Sequence, residues 1–462
     1  MMMKVVGSFF FFLAASSCSN SAAASVASSN PQGCLNSSTT AIDPDMDYFP
    51  DKVFPKFSKY WSVTYHNTYK ILKNHNANAT YVLYQCGTEP PTDILDANLT
   101  IPVPLQNGVA LTTTTSLPHF ELLGLQDEIK AYLGDPQWIT SPCFLAQIES
   151  GETINVPHPE DEGAIEGLLA QTGSEIVIFG DLIGGILDAP YFVALDAWKE
   201  RDNHGIGEWH KFYSLFYNKE KEANEQFDTM HNRYECTSKN AKYILADKPR
   251  PVVIFAEFST YCGGWSIPSC PNFYCDFITD CSATMLLDDL SGTVVNPECG
   301  MDVKYMTTPE FVEFAKDADV WIYPGTEAYY WETVYKDFGD QLDTMKAVQQ
   351  RQVYDTVKTA INTWWEHRIV EYDLVLEDFC QVVGAENALI PHKRAFLRNV
   401  FNESTGDIGE CTAELESKGF IVRSDVCVDL VQALKEQSSS PVTKKYPSVT
   451  SFVALMSMMA LL

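Results

Sequence analysis

Trp209-His210-Lys211-Phe212-Tyr213, a charged run from Asn218 to Asn240, the breaker Lys248-Pro249-Arg250-Pro251 and the apolar run Val252-Val253-Ile254-Phe255-Ala256 follow one another in one continuous stretch. Inside the charged run, Ala223, Phe227, Met230 and Tyr234 recur at spacings of four, three and four, the period of a single helical face. The remaining positions are mostly Glu, Lys, Asp and Asn, so this helix packs one stripe and wets the other. Two prolines then end it, and five apolar residues start a strand. On each side lies a segment of similar size with alternating strand and helix signals. The reading is an α/β chain: two parallel-sheet lobes joined by one long backbone helix, with a ligand cleft between the lobes.

Before the helix, Thr80 to Cys86 and Val109-Ala110-Leu111 read as strands, Leu117 to Leu123 as a helix closed by Gly124, and Trp138 to Pro142 as a short strand. Ala164 to Gln171 is a helix, and Ile176 to Phe179 is a buried strand ending at Gly180-Asp181. After the helix, Thr308-Pro309-Glu310 opens a helix with Thr308 as cap and Pro309 in the first turn. Asp319 to Tyr323 is a strand, Leu342 to Val348 a helix, Gln352 to Tyr354 a strand and Ile369 to Val382 a closing helix. The chain divides into a signal peptide over 1–27, a flexible lead-in over 28–47, an N-terminal lobe over 48–217 and the backbone helix over 218–247. A C-terminal lobe over 248–435 carries a cysteine-rich insertion, and a spacer with a hydrophobic tail fills 436–462.

A chain of 462 residues with 45% hydrophobic and 12% aromatic content builds a large core. Its net charge of −29 excludes a nucleic-acid partner, which needs a basic face. Lys4, the apolar run Phe9 to Ala15 and the small residues Ala22 to Ala27 read as a secretory signal. Cys18 faintly resembles a bacterial lipoprotein box that lacks its leucine. The tail Phe452 to Leu462 is shorter than the roughly 20 residues of a membrane span. With Ser438 to Ser440 and a polar spacer before it, the tail matches a GPI-anchor signal; the plainer reading is a frayed or weakly membrane-associating segment.

Thirteen cysteines, twelve once Cys18 is removed with the signal, fit an oxidising compartment. The group Cys262, Cys270, Cys275, Cys281 and Cys299 lacks C-x2-C pairs and a nearby histidine, and so reads as disulfides rather than zinc. Asn36, Asn78, Asn98 and Asn402 begin N-x-S/T sequons. The expected location is the secretory pathway, at the cell surface or on an endomembrane.

Ligands of open parallel sheets sit beyond the carboxyl ends of the strands. In the first lobe those ends carry Thr114, Thr115, Trp138, Phe179 and Asp181. In the second they carry Tyr261, Trp265, Tyr329, Tyr330, Trp364, Trp365 and Arg368. An aromatic set with few charges suits a large, flat or amphiphilic ligand, although any one aromatic after a strand is more often core. No G-x-S-x-G elbow, phosphate loop, strand-linked G-x-G-x-x-G or H-E-x-x-H occurs, and the nine histidines assemble no cluster. Catalytic and metal residues are therefore expected to be none. Glu257 and Asp181, at strand ends, are the pair a carboxylate-driven hydrolase would use, with capping the plainer role.

Over roughly residues 65–385 the chain resembles the helical-backbone class of substrate-binding proteins, the iron-siderophore and cobalamin group of bacterial ABC importers. The likeness rests on the Thr112–Gly124 strand-loop-helix, Glu175-Ile176-Val177-Ile178, and the 218–240 helix before Lys248-Pro249-Arg250-Pro251. It rests also on the Thr308-Pro309-Glu310 helix, Asp317-Ala318-Asp319-Val320-Trp321 and the Ala347 to Tyr354 turn. The cysteine-rich insertion, the sequons, the longer aromatic run and the tail depart from the bacterial pattern and resemble diatom proteins built on this domain, the cobalamin acquisition and ferrichrome-type siderophore binders. The resemblance implies binding between the lobes, little closure, no catalysis and a membrane uptake partner. Cobalamin or a ferric siderophore would then be the transported ligand, with no resident cofactor. A secreted α/β hydrolase and a surface adhesion protein are the readings of other classes.

Overall fold

The structure is a computed structural model that describes residues 26–36, 42–161, 163–173, 176–181, 191–260, 263–287, 303–325, 330–412 and 427–439. All but residues 26 and 27 of the expected signal peptide, most of the tail, Cys18, Cys262 and Cys299 lie outside the described residues.

The N-terminal lobe is built on a five-stranded, all-parallel sheet in the order Ile154–Asn155, Ile129–Tyr132, Val109–Leu111, Val177–Gly180, Phe192–Ala194. Val109–Leu111 and Val177–Gly180 are buried at every position, the signature of inner parallel strands covered on both faces. A second, four-stranded sheet runs Trp61–Tyr65, Tyr69–Asn74, Ala79–Gln85, Leu99–Val103. Its first three strands are antiparallel and its last is parallel to the third.

The C-terminal lobe repeats the parallel pattern in the order Thr284–Met285, Val252–Phe255, Val320–Tyr323, Val353–Asp355, with Arg398–Asn399 closing the edge antiparallel. An antiparallel ribbon, Glu257–Ser259, Gly264–Pro268 and Val303–Met306, grows from the cysteine-rich insertion.

The spine helix spans Glu220–Ile244, 25 residues, or about 37 Å at 1.5 Å per residue. Ala223, Phe227, Met230 and Tyr234, the periodic stripe, are all buried on it. Its first turn is pinned to the N-terminal lobe by a fully buried ion pair. Lys70 Nζ lies 2.7 Å from Glu220 Oε1 and also donates to Leu215 O and Asn218 Oδ1, while Asn30 Nδ2 donates to Glu220 Oε2. Its middle is pinned to the C-terminal lobe, where Arg233 meets Asp373 at 3.1 Å and Glu377 at 3.2 Å on the Tyr372–Val382 helix. Cys236 adds a disulfide to Cys427.

Four other disulfides join described residues: Cys34–Cys86, Cys143–Cys411, Cys270–Cys275 and Cys281–Cys380. Among the described residues no helix is long and apolar enough to cross a membrane.

Three local expectations are corrected. Trp138 ends a 3-10 turn, Pro136–Trp138, not a strand, because Asp135 accepts the Gln137 N–H at 3.0 Å and Pro136 sets the first turn. The cap of the Thr308–Ala315 helix is Thr307, whose N–H and hydroxyl both donate to Glu310 Oε2 at 2.9 and 2.7 Å. The Leu342 to Val348 segment is the end of one helix, Trp331–Leu342, and a separate turn, Lys346–Gln349.

Candidate functional site

The carboxyl ends of both parallel sheets converge on one junction. Beyond Val109–Leu111 the chain makes a Thr114–Ser116 turn and the Leu117–Leu122 helix, and both pack against the Thr363–His367 helix that follows Val353–Asp355. Beyond Ile129–Tyr132 it reaches Thr140, whose N–H and hydroxyl donate to Glu366 at 3.1 and 2.9 Å. Ser141 donates to Glu121 next to it. His367 Nε2 lies 3.1 Å from Glu366 Oε1, and its Nδ1 lies 3.9 Å from Glu371.

A dry junction sets the protonation of these groups. Burial pushes the Glu121 carboxyl up to about 7, against the opposing field of His367 and the Ser141 hydrogen bond. Burial pulls the His367 imidazole down. The hydrogen bond it donates to Glu366 and the fields of Glu366, Glu121 and Glu371 outweigh it, so the net shift is upward.

Arg368 is the outlier. It is buried, with its guanidinium 3.8 Å from the Phe273 ring centroid and 5.3 Å from that of Trp364. Its Nε and Nη1 have no hydrogen-bond partner among the described residues. Burial lowers its pKa to about 10, which still leaves it cationic at neutral pH. Phe273 itself sits where the lobes meet: it and Leu122 of the first lobe both pack against the buried cluster of Ile206, Ile369 and Val370, and its carbonyl accepts from Asn203 Nδ2 at 3.1 Å. The Tyr274 side chain feels both Arg368 and Glu257, and burial pushes the Glu257 carboxyl up to about 7. The cluster therefore offers a desolvated cation, a carboxyl that is easily neutral, and aromatic faces. That set can grip an anionic oxygen on a bulky ligand.

The predicted site residues separate into three groups. Thr114, Thr115, Trp365 and Asp181 are half-buried, Trp138 is exposed, and Arg368 is buried with two donors unpartnered among the described residues. Burial raises the Asp181 carboxyl. Tyr330 is half-buried at the start of the Trp331–Leu342 helix. Three aromatics are core and not ligand contacts. Phe179 packs on Phe216 at 4.9 Å and Phe120 at 5.9 Å. Trp265 stacks on Phe311 at 4.3 Å and donates to Thr308 Oγ1. Trp364 is enclosed by Phe277, Phe379 and Phe396. In each case the side chain is fully covered by its own lobe, so no ligand surface reaches it. Tyr261 and Tyr329 lie outside the described residues. Sequence reasoning missed Glu121, Thr140, Ser141, Glu366 and Phe273. The run Glu366-His367-Arg368 held a signal, since three ionisable residues directly after two tryptophans are costly unless they are paired or used.

No protein-family profile matches the chain. A stretch of 196 residues is 28% identical to an uncharacterized lipoprotein of Methanocaldococcus jannaschii, covering 42% of this chain and 42% of that protein. The match thus spans less than half the length of the curated relative. Among solved structures, a periplasmic heme binding protein from Pseudomonas aeruginosa aligns over 67% of this chain and 100% of its own at 12% identity and a TM-score of 0.47. The triscatecholate siderophore binding protein from Bacillus subtilis, complexed with ferri-bacillibactin, aligns over 62% and 94% at 11% identity and a TM-score of 0.43. An ABC transporter substrate-binding protein from Listeria monocytogenes aligns over 60% and 98% at 12% identity and a TM-score of 0.41.

Proposed function

We propose that this chain is an extracellular solute-binding protein that holds a bulky metal chelate at the lobe junction, without chemical turnover. The carrying observation is Arg368: a buried guanidinium, stacked on Phe273, with two donor nitrogens unpartnered among the described residues. A buried charge without a counter-charge costs several kcal/mol, and an anionic ligand oxygen would offset that cost. Of the two expected ligands, a ferric siderophore with anionic oxygens fits Arg368 best. Cobalamin is the second reading, favoured by the aromatic surfaces of Phe273 and Tyr274 beside the charge. A membrane permease or receptor would take the ligand onward, and glycosylation at the exposed Asn36, Asn78, Asn98 and Asn402 fits the same surface location.

The test is calorimetry with ferrichrome, a ferric catecholate and cyanocobalamin. Saturable binding of one ferric chelate supports the first reading, and binding of cyanocobalamin alone moves the assignment to the second. Absence of heat with all three, alongside hydrolysis of a generic ester or glycoside, would replace both with an enzyme.

A further inference from the structure

His231 and Glu235 stand one turn apart on the spine, so their side chains share a face. Across from them, the short Asn203–Gly207 helix, capped by Asp202, presents His204. His204 Nδ1 lies 3.4 Å from His231 Nδ1, and His204 Nε2 lies 3.4 Å from Glu235 Oε1. One ligand atom from each of the three residues falls within 4.8 Å of the others. Donor atoms around a tetrahedral zinc ion, each about 2.0–2.2 Å from the metal, sit roughly 3.3 Å apart. The two 3.4 Å contacts use opposite nitrogens of His204, of which one ion takes only one, so the set with one atom per residue, within 4.8 Å, would reach that spacing by a side-chain rotation.

The surroundings also favour a cation. Rings fix His204 on several sides: Tyr234 at 4.7 Å, Phe57 at 4.9 Å and Tyr372 at 5.4 Å between centroids. Asp202 and Asp280 add negative field to that of Glu235. Two imidazole nitrogens facing each other at 3.4 Å have a second use besides sharing a proton, which is to face one metal ion.

We propose that His204, His231 and Glu235 form a three-ligand site for a divalent transition metal of the zinc class, with its remaining position open to water or an exogenous ligand. Two imidazoles and one carboxylate select zinc, cobalt, nickel or copper over calcium and magnesium, which prefer all-oxygen shells. The ion would tie the short Asn203–Gly207 helix of the first lobe to the middle of the spine. The site shares no residue with the Arg368 junction and stands independently of the ligand proposed there.

The experiment is titration of the untagged, metal-stripped protein with Zn²⁺, followed by calorimetry and by the rise in melting temperature, with Mg²⁺ and Ca²⁺ as controls. One equivalent of Zn²⁺ should bind and raise the melting temperature, while the controls leave it unchanged. Glu235→Gln changes an exposed side chain, and His231→Ala a half-buried one. Each should keep the metal-free melting temperature and weaken Zn²⁺ by about tenfold or more, the usual effect of losing a ligand or its support. Should His231→Ala fail to fold, Glu235→Gln decides alone. Absence of stoichiometric Zn²⁺ binding by the wild type, or affinity unchanged in Glu235→Gln, overturns the site.

Discussion

Trp265 lies almost parallel to Phe311, bonds Thr308 through its indole N–H and has no exposed surface. Trp265→Ala therefore opens a cavity, and its cost is expected at about 3–5 kcal/mol of unfolding free energy, read by denaturant titration. The same substitution at half-buried Trp365 should cost far less and act on ligand affinity instead. Glu121 offers a pH test at the same scale. Its folded pKa of about 7 lies above the unfolded value near 4.5, so its stability contribution is full below 4.5 and is lost as pH rises towards 7. His367, also raised, acts in the same direction at higher pH. Glu121→Gln, a fixed neutral mimic, should flatten the fall in melting temperature over that window, and an unchanged slope would place the titration elsewhere. These residue roles were hard to read in the chain. A tryptophan after a strand reads the same whether it turns into its own lobe or out of it, and only tertiary packing separates Trp265 and Trp364 from Trp365. Glu121 and Glu366 become a site only because residues 226 apart, Thr140 and Glu366, meet.

The spine was legible because its evidence is periodic and local: four apolar residues on one face, polar residues elsewhere, prolines after it. Its anchors were not legible, since Lys70 and Glu220 are 150 residues apart and each alone reads as a surface charge. Lys70→Ala leaves Glu220 buried and unpaired, and should cost about 3–5 kcal/mol, whereas Lys70→Met with Glu220→Leu should recover much of it. Equilibrium unfolding of the three variants checks this; additive losses would contradict it. Parallel strands announced themselves as solid apolar runs, as at Val177–Gly180. The Trp61–Tyr65 and Tyr69–Asn74 strands of the four-stranded sheet did not, because they mix lysine, asparagine and threonine into a half-covered face.

At the scale of the molecule, three devices hold the two lobes at a fixed spacing. The spine is anchored to both lobes, Glu366 bonds Thr140 across the junction, and Cys143 of the first lobe is joined to Cys411 beyond the last strand of the second. Such a frame is expected to resist a hinge closure of the kind that loops permit. Small-angle scattering should accordingly give the same radius of gyration with and without ligand. A marked contraction on binding would show that the junction opens. The two-lobed plan was visible in the order of strand and helix signals; the covalent link between the lobes was not, because twelve cysteines allow many pairings.

The central claim is that a buried Arg368, with two donor nitrogens unpartnered among the described residues, is kept for a ligand and not for the fold. Arg368→Met, studied by ligand calorimetry and thermal unfolding on the same preparation, tests it most directly. The account predicts that the ferric chelate bound by the wild type loses affinity by at least about 2 kcal/mol, as for a removed charged hydrogen-bonding partner. The melting temperature should stay level or rise, because an uncompensated buried charge has gone. Unchanged affinity together with a large fall in melting temperature would contradict it, and would make Arg368 a structural residue.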